Sequence, residues 1–381
     1  MSPQQLVALG MTGYVRANFR VRTFGLDRLA LEPSTIFAPN HRSDNDVPLL
    51  ATALLPRWSR AAGHGVPWPT FAADDHAFFR GFLAGYPEGI PLGVRRALWP
   101  VRVGGVLERH LQCVPVRHPA QMRLVELLRY DPQQRLDGQL PPEVHAALAQ
   151  RAHELGRPAP ARGAEALHGR YADILWTELD RDRTPGVDEM WRAHLRCAVA
   201  DFRRLIATVR GGGLVIIFPE GELKTEGEVG PLAPGLASLA RRGRARQVQP
   251  IAISYDPLTS GRPRAYVSVG PSIKPAPGEL IGQVTEGLRR AIPLTAGQIA
   301  ATVLRESPTA TATATALARA GDDWVARAQA DRRPAEPGLL RTRRERERLL
   351  ASAFRHAQRR GPDDHAVRSL ARELVGANPP P

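Results

Sequence analysis

The run Leu214-Val215-Ile216-Ile217-Phe218, closed by Pro219-Glu220-Gly221, sets five apolar side chains in succession and then turns sharply. An unbroken apolar run of this length, without polar alternation, describes a strand buried on both faces. Upstream, Asp188 to Arg210 has a helical period and stops at Gly211-Gly212-Gly213, where glycines suit a helix end. Further out, Ser34 to Pro39, Leu111 to Val116, Val248 to Tyr255 and Ala265 to Gly270 read as strands, and residues 1–33, 42–55 and 276–305 contain helical patterns. Strands alternating with helices predict an α/β fold with a mostly parallel sheet flanked by helices. In such sheets ligands bind beyond the carboxyl ends of the strands, so residues just after the strand-like runs are the ones to inspect for chemistry.

Residues 130–190 change character, with Pro and Gly recurring between two helical patterns, and are expected to be a helical insertion. From 306 the chain opens on an alternating Thr-Ala stretch, Thr309 to Ala316, and continues with Arg341 to Arg348 (RTRRERER). The expected organisation is therefore a domain over 1–305, with its insertion at about 130–190, and a low-complexity linker and basic helical tail over 306–381. In the tail, Leu349, Leu350, Ala353 and Phe354 form a narrow stripe, expected to dock a solvated helix on the domain, with a membrane-surface helix as the alternative.

The net charge of +14 attracts polyanions, among them anionic membrane surfaces. Aromatic residues are 6 % of the chain and are not interleaved with basic ones, so no nucleic-acid partner is expected. No apolar run reaches 18 residues, no signal peptide is evident and only two cysteines occur, so a cytoplasmic protein is expected, which a lipid substrate would place peripherally on the inner face of the membrane. Cys113 and Cys197 are too few for a disulfide framework or a zinc site, and no metal is expected.

The first chemical candidate is Asn40-His41-Arg42-Ser43-Asp44-Asn45-Asp46. A histidine can take a proton from a hydroxyl, and a carboxylate behind it can fix its tautomer and stabilise its cation. The spacing alone is weak: in a chain of this composition roughly 0.5 such pairs arise by chance, and His168 and Asp173 repeat it. Five residues also separate side chains on a regular helix, so the pair needs a turn between strand and helix. The second candidate is Phe218-Pro219-Glu220-Gly221, where Gly221 permits a sharp exit and close approach of backbone N–H groups.

Taken in order, these segments resemble the glycerolipid or lysophospholipid acyltransferase family, whose four short blocks they echo between about residues 34 and 257. The resemblance implies an acyltransferase-like fold, with His41 as catalytic base and Asp46 as its partner. It carries Asn40, Phe218, Pro219, Glu220 and Gly221 over as substrate-binding positions. CVPVR looks like the second block and implies Arg117 as a phosphate or head-group contact. QPIAISY looks like the fourth, with Pro250 shaping the acyl pocket. Many members continue FPEG with Thr-Arg-Ser; here Glu222, Leu223 and Lys224 stand there, which leaves Lys224 as the nearby cation.

The expected reaction moves a fatty acyl group from acyl-CoA or acyl carrier protein, with no cofactor beyond that co-substrate, to a lysophospholipid hydroxyl. Lysophosphatidic acid is the commonest acceptor in the family. Another lipid or glycolipid hydroxyl is the alternative acceptor, and a basic lipid-binding protein without catalysis is the alternative class.

Overall fold

The structure, a computed structural model, describes residues 3–79, 94, 97–102, 104–117, 122–136, 140–179, 184, 188–306 and 314–377. Most of the Thr-Ala stretch at 309–316 lies outside the described residues. The contacts divide the chain into two units, Met1–Pro69 with Ile206–Pro381, and Thr70–Leu205.

In the first unit, α1 (Pro3–Asn18), β1 (Arg20–Phe24), β2 (Thr35–Pro39) and α2 (Asp46–Ala62) open the chain. The second unit then runs through β3 (Thr70–Asp74), α3 (Gly104–Leu111), β4 (Cys113–Val116), β5 (Met122–Arg123), α4 (Leu124–Tyr130), α5 (Pro142–Glu154), β6 (Glu178–Leu179) and most of α6 (Asp188–Arg210). It pairs β3 with β4 in parallel. Its core includes Met122, Leu127, Leu136, Val144, Leu148, Tyr171 and Leu175. The stretch 130–190 thus supplies much of that unit's own core, hidden in sequence by the prolines and glycines between its apolar positions.

The chain returns to the first unit with β7 (Val215–Ile216), α7 (Gly235–Gly243), β8 (Gln247–Asp256) and β9 (Arg264–Val269). The helices α8 (Leu280–Ala291), α9 (Ala296–Glu306), α10 (Ala314–Ala330), α11 (Arg343–Arg360) and α12 (His365–Gly376) complete it. Its strands lie in the order β1-β9-β8-β2-β7. The β1–β9, β8–β2 and β2–β7 pairings are parallel, and β8–β9 is antiparallel. The exception has a cause: residues 257–263 are too few for the crossover that parallel neighbours require.

Strand β2 is buried along its length and β8 nearly so. The side chains of β8 alternate between two covered faces. Tyr255 reaches Asp46 at the start of α2, while Ser254 bonds Glu373 of α12 and Asp256 accepts from Gly297 N–H of α9. This is the helix-flanked, largely parallel arrangement that the unbroken apolar runs predict.

The packing does not break at residue 305. Helix α9 is buried on every side from Ala296 to Leu304. Leu317, Val325, Leu350, Phe354, Val367, Leu370 and Leu374 of the following helices pack in the same cluster. Arginine-rich surfaces give residues 306–381 the look of an appendage, while their Ala and Leu stripes face α9. Burying one such leucine is worth about 1.5–3 kcal/mol, so several of them dock these helices firmly.

Candidate active site at the end of β2

Asn40 follows β2 directly and is fully buried. Its Nδ2 donates to Ile253 O at 3.0 Å and its Oδ1 accepts from Ile253 N at 2.6 Å, so the amide ties the end of β2 to β8. The chain then leaves the sheet through His41 and makes a turn in which Asp46 N donates to Ser43 O at 2.9 Å. That turn overcomes the five-residue spacing. It brings Asp46, the first residue of α2, back beneath His41, with Nδ1 of the ring 2.8 Å from Asp46 Oδ2. A carboxylate in the first helical turn also sits well in the helix dipole.

Asp46 is completely buried. Its Oδ2 further accepts from Arg42 N at 2.6 Å and Ser43 N at 3.0 Å, and its Oδ1 accepts from Tyr255 Oη at 2.7 Å. Four donors converge on one carboxyl group, the pattern of an ionised acceptor. Burial, and next the charge of Asp46, push the Tyr255 phenol well above its ordinary pKa, so its proton stays on as a donor. With Nδ1–H of His41 directed at Asp46, the ring keeps Nε2 as its acceptor. The His41 side chain is 25 % exposed, so a substrate can reach it. The Phe218 ring stacks on it, with centroids 4.4 Å apart and planes at 27°.

Glu220 is buried, and both of its oxygens hold backbone: Oε2 accepts from His41 N at 2.6 Å and Oε1 from Gly230 N at 2.8 Å. It clamps the histidine loop to the segment that follows FPEG. Gly221 turns that segment with φ 73°, a conformation other residues adopt at a cost. Pro219 is buried, and its carbonyl accepts from Ala233 N at 2.7 Å. Lys224 N donates to His41 O at 2.9 Å, while its Nζ pairs with Glu222. Pro250 is buried in β8 against Gly287 of α8.

Arg117 belongs to the second unit, where its guanidinium pairs with Asp75 and Asp201. The structure therefore brings His41, Asp46, Phe218, Glu220, Gly221 and Lys224 together around one loop, while the Arg117 side chain is held by two carboxylates of its own unit. Burial pushes the Cys113 thiol up to about 12, far from the thiolate a nucleophile needs. Among the described residues no cluster of His, Cys, Asp or Glu could hold a metal ion.

Three contributors escape the motif spacing. Tyr255 closes the QPIAISY segment, and alternation along β8 was the available signal for it. Arg42 is buried and donates through Nη1 to Lys224 O at 3.1 Å and Glu228 O at 2.6 Å. Helix α12 braces the same segment from the other side. Ser369 Oγ donates to Thr225 O at 2.8 Å, Arg372 pairs with Glu226, and Gly227, at φ 96°, lies so close to Ser369 O that a side chain has no room. Glu373 of α12, buried and raised in pKa first by that burial, accepts from Ser254 Oγ and Gln298 Nε2, with Arg42 favouring its ionised form.

No protein-family model matches the chain, and no curated protein does. Among solved structures it is similar to the crystal structure of the 1-acyl-sn-glycerophosphate (LPA) acyltransferase, PlsC, from Thermotoga maritima, at 12 % identity and a TM-score of 0.34, over 76 % of this chain and 80 % of that one.

Proposed function

We propose that the chain is an acyltransferase moving a fatty acyl group from acyl-CoA or acyl carrier protein to a lipid hydroxyl, with a lysophospholipid such as lysophosphatidic acid as acceptor, in phospholipid biosynthesis. The observation that carries this reading is the His41–Asp46 pair at a strand end, its carboxylate held by four donors and its ring left with Nε2 as acceptor. The ordered resemblance of NHRSDND, CVPVR, FPEG and QPIAISY to the acyltransferase blocks points the same way.

In this mechanism His41 Nε2 takes the proton of the acceptor hydroxyl as its oxygen bonds to the thioester carbonyl carbon. The imidazolium is stabilised by Asp46, which Tyr255 positions. When the carbon–sulfur bond breaks, the thiolate recovers the proton from Nε2. General base action contributes on the order of 10²–10⁴ in rate, and fixed placement of the two substrates must supply much of the remainder.

A different lipid or glycolipid acceptor is the second reading, and a specific observation favours it. Both cations expected to meet an acceptor phosphate are occupied, Lys224 by Glu222 and Arg117 by Asp75 and Asp201. No described helix is long and apolar enough to cross a membrane. Access to lipid is proposed through peripheral association with the inner face of the membrane, using the exposed Arg241, Arg242, Arg244 and Arg246 and the exposed Leu6 and Leu9 of α1.

The test is thiol release from palmitoyl-CoA across a panel of lysolipid and glycolipid acceptors, repeated with an acyl carrier protein donor. Acceptor-dependent release by the wild type alone, absent in His41→Ala, supports the reading and ranks the acceptors. Lipid binding by both proteins with no thioester consumed from either donor would make it a basic lipid-binding protein instead.

A further inference from the structure

Arg20 and Arg22 of β1 share one face of their strand, and Arg264 of β9 is the register partner of Arg20, so three guanidinium groups stand together at the sheet edge. Arg341, Glu336 and Leu349 complete a recess of about 290 Å³ around them. Four arginines face one carboxylate there, and that carboxylate is already committed. Glu336 pairs with Arg264 through Oε1, and its Oε2 accepts from Ala296 N at 3.2 Å. Arg341 has an exposed partner in Glu345. Among the described residues, Arg20 and Arg22 have no ion pair.

Like charges at adjacent register positions repel, and the one carboxylate lining the recess, Glu336, leaves its four arginines with an excess of positive charge. Charged side chains on an edge strand do discourage pairing with another chain. That role needs no convergence, however, whereas here two strands and the segment before α11 bring their arginines into one concavity. Guanidinium forks match the geometry of phosphate oxygens, and the recess has room for a phosphate with a small substituent. None of its residues bonds to His41, Asp46 or Glu220.

We propose that this recess is a second ligand site, which binds the phosphate of a phosphate ester, either a lipid head group or a free phosphomonoester. The site stands whether or not the acyl-transfer reading does.

The test is calorimetric titration of inorganic phosphate and of glycerol phosphate into wild type, the double variant Arg20→Ala/Arg22→Ala, and Glu336→Gln. Both arginines are exposed, so an unchanged melting temperature is expected of the double variant. Saturable binding by wild type is expected, weakened about tenfold or more in the double variant and tightened in Glu336→Gln, which removes the competing charge. Sedimentation with vesicles of phosphatidic acid in phosphatidylcholine then separates the two sources. Retention that falls in the double variant marks a lipid head group, and equal retention beside impaired glycerol phosphate binding marks a free ester. Absence of saturable phosphate binding, or equal affinity in all three proteins, would overturn the proposal.

Discussion

Two stretches of this chain carry an aspartate five residues after a histidine, and they fold to opposite chemical ends. At His41, Nδ1 lies 2.8 Å from Asp46 Oδ2. At His168, Nδ1 instead accepts from Arg170 N at 3.3 Å, and Asp173 gives its two oxygens to Arg151 at 3.0 and 2.8 Å. An Nδ1 that accepts leaves the proton on Nε2, so the His168 ring presents a donor where His41 presents an acceptor. The sequence spacing is the same, and the backbone makes the difference. His41 leaves a buried strand and its turn delivers Asp46 at a helix start, whereas His168 precedes a short 3-10 turn, Gly169–Tyr171, and bonds back into it. Spacing therefore nominates a pair, and the strand-end turn selects it.

The two histidines should differ most in their effect on activity. His41→Ala is expected to lower thioester-dependent transfer by at least about 10²–10⁴, and His168→Ala to leave it unchanged. Equal losses in both, with both proteins folded, would sink the distinction. The carboxylates come next. Asp46→Asn removes the charge that stabilises the imidazolium, and kcat should fall on the order of 10²–10⁴ with the fold retained by circular dichroism. Asp173→Asn loses only a partly exposed ion pair, so a stability change within about 1 kcal/mol by urea unfolding and full activity are expected. Of the variants around His41, Tyr255→Phe should have the smallest effect. It leaves Asp46 Oδ1 short of a buried donor, a penalty of about 1–3 kcal/mol. Because Tyr255 acts through the pair, that penalty should be read as a kcat roughly tenfold lower with KM little changed. A raised KM at constant kcat would mean instead that its hydroxyl meets substrate.

The legible part of the molecule was its strand ends. The apolar runs at 34–39, 214–218 and 248–255 sit within or against β2, β7 and β8, and His41 and Glu220 lie at the exits that the carboxyl-end rule marks. Helix α6 has the bounds its periodicity gives, because glycines punctuate its end. What spacing could not reveal depends on contacts between distant segments. Asn40 spends its amide on Ile253, and Glu220 spends its carboxylate on backbone of residues 41 and 230. The residues after 305 read as an appendage because arginines dominate their composition, whereas their buried stripes complete the core around α9 and Ser369 and Arg372 brace residues 225 and 226. Composition reports surfaces well, and it reports which helix shares a core with which only poorly.

The most direct measurement is the tautomer of each ring, read from two-bond 15N–1H correlations of the histidine-labelled protein at a pH where both rings are neutral. The His41→Ala and His168→Ala variants would assign the signals. The hydrogen-bond geometry predicts the proton on Nδ1 of His41 and on Nε2 of His168. A proton on Nε2 of His41 would contradict it, since the only unprotonated nitrogen would then be Nδ1, which faces Asp46 rather than the acceptor hydroxyl.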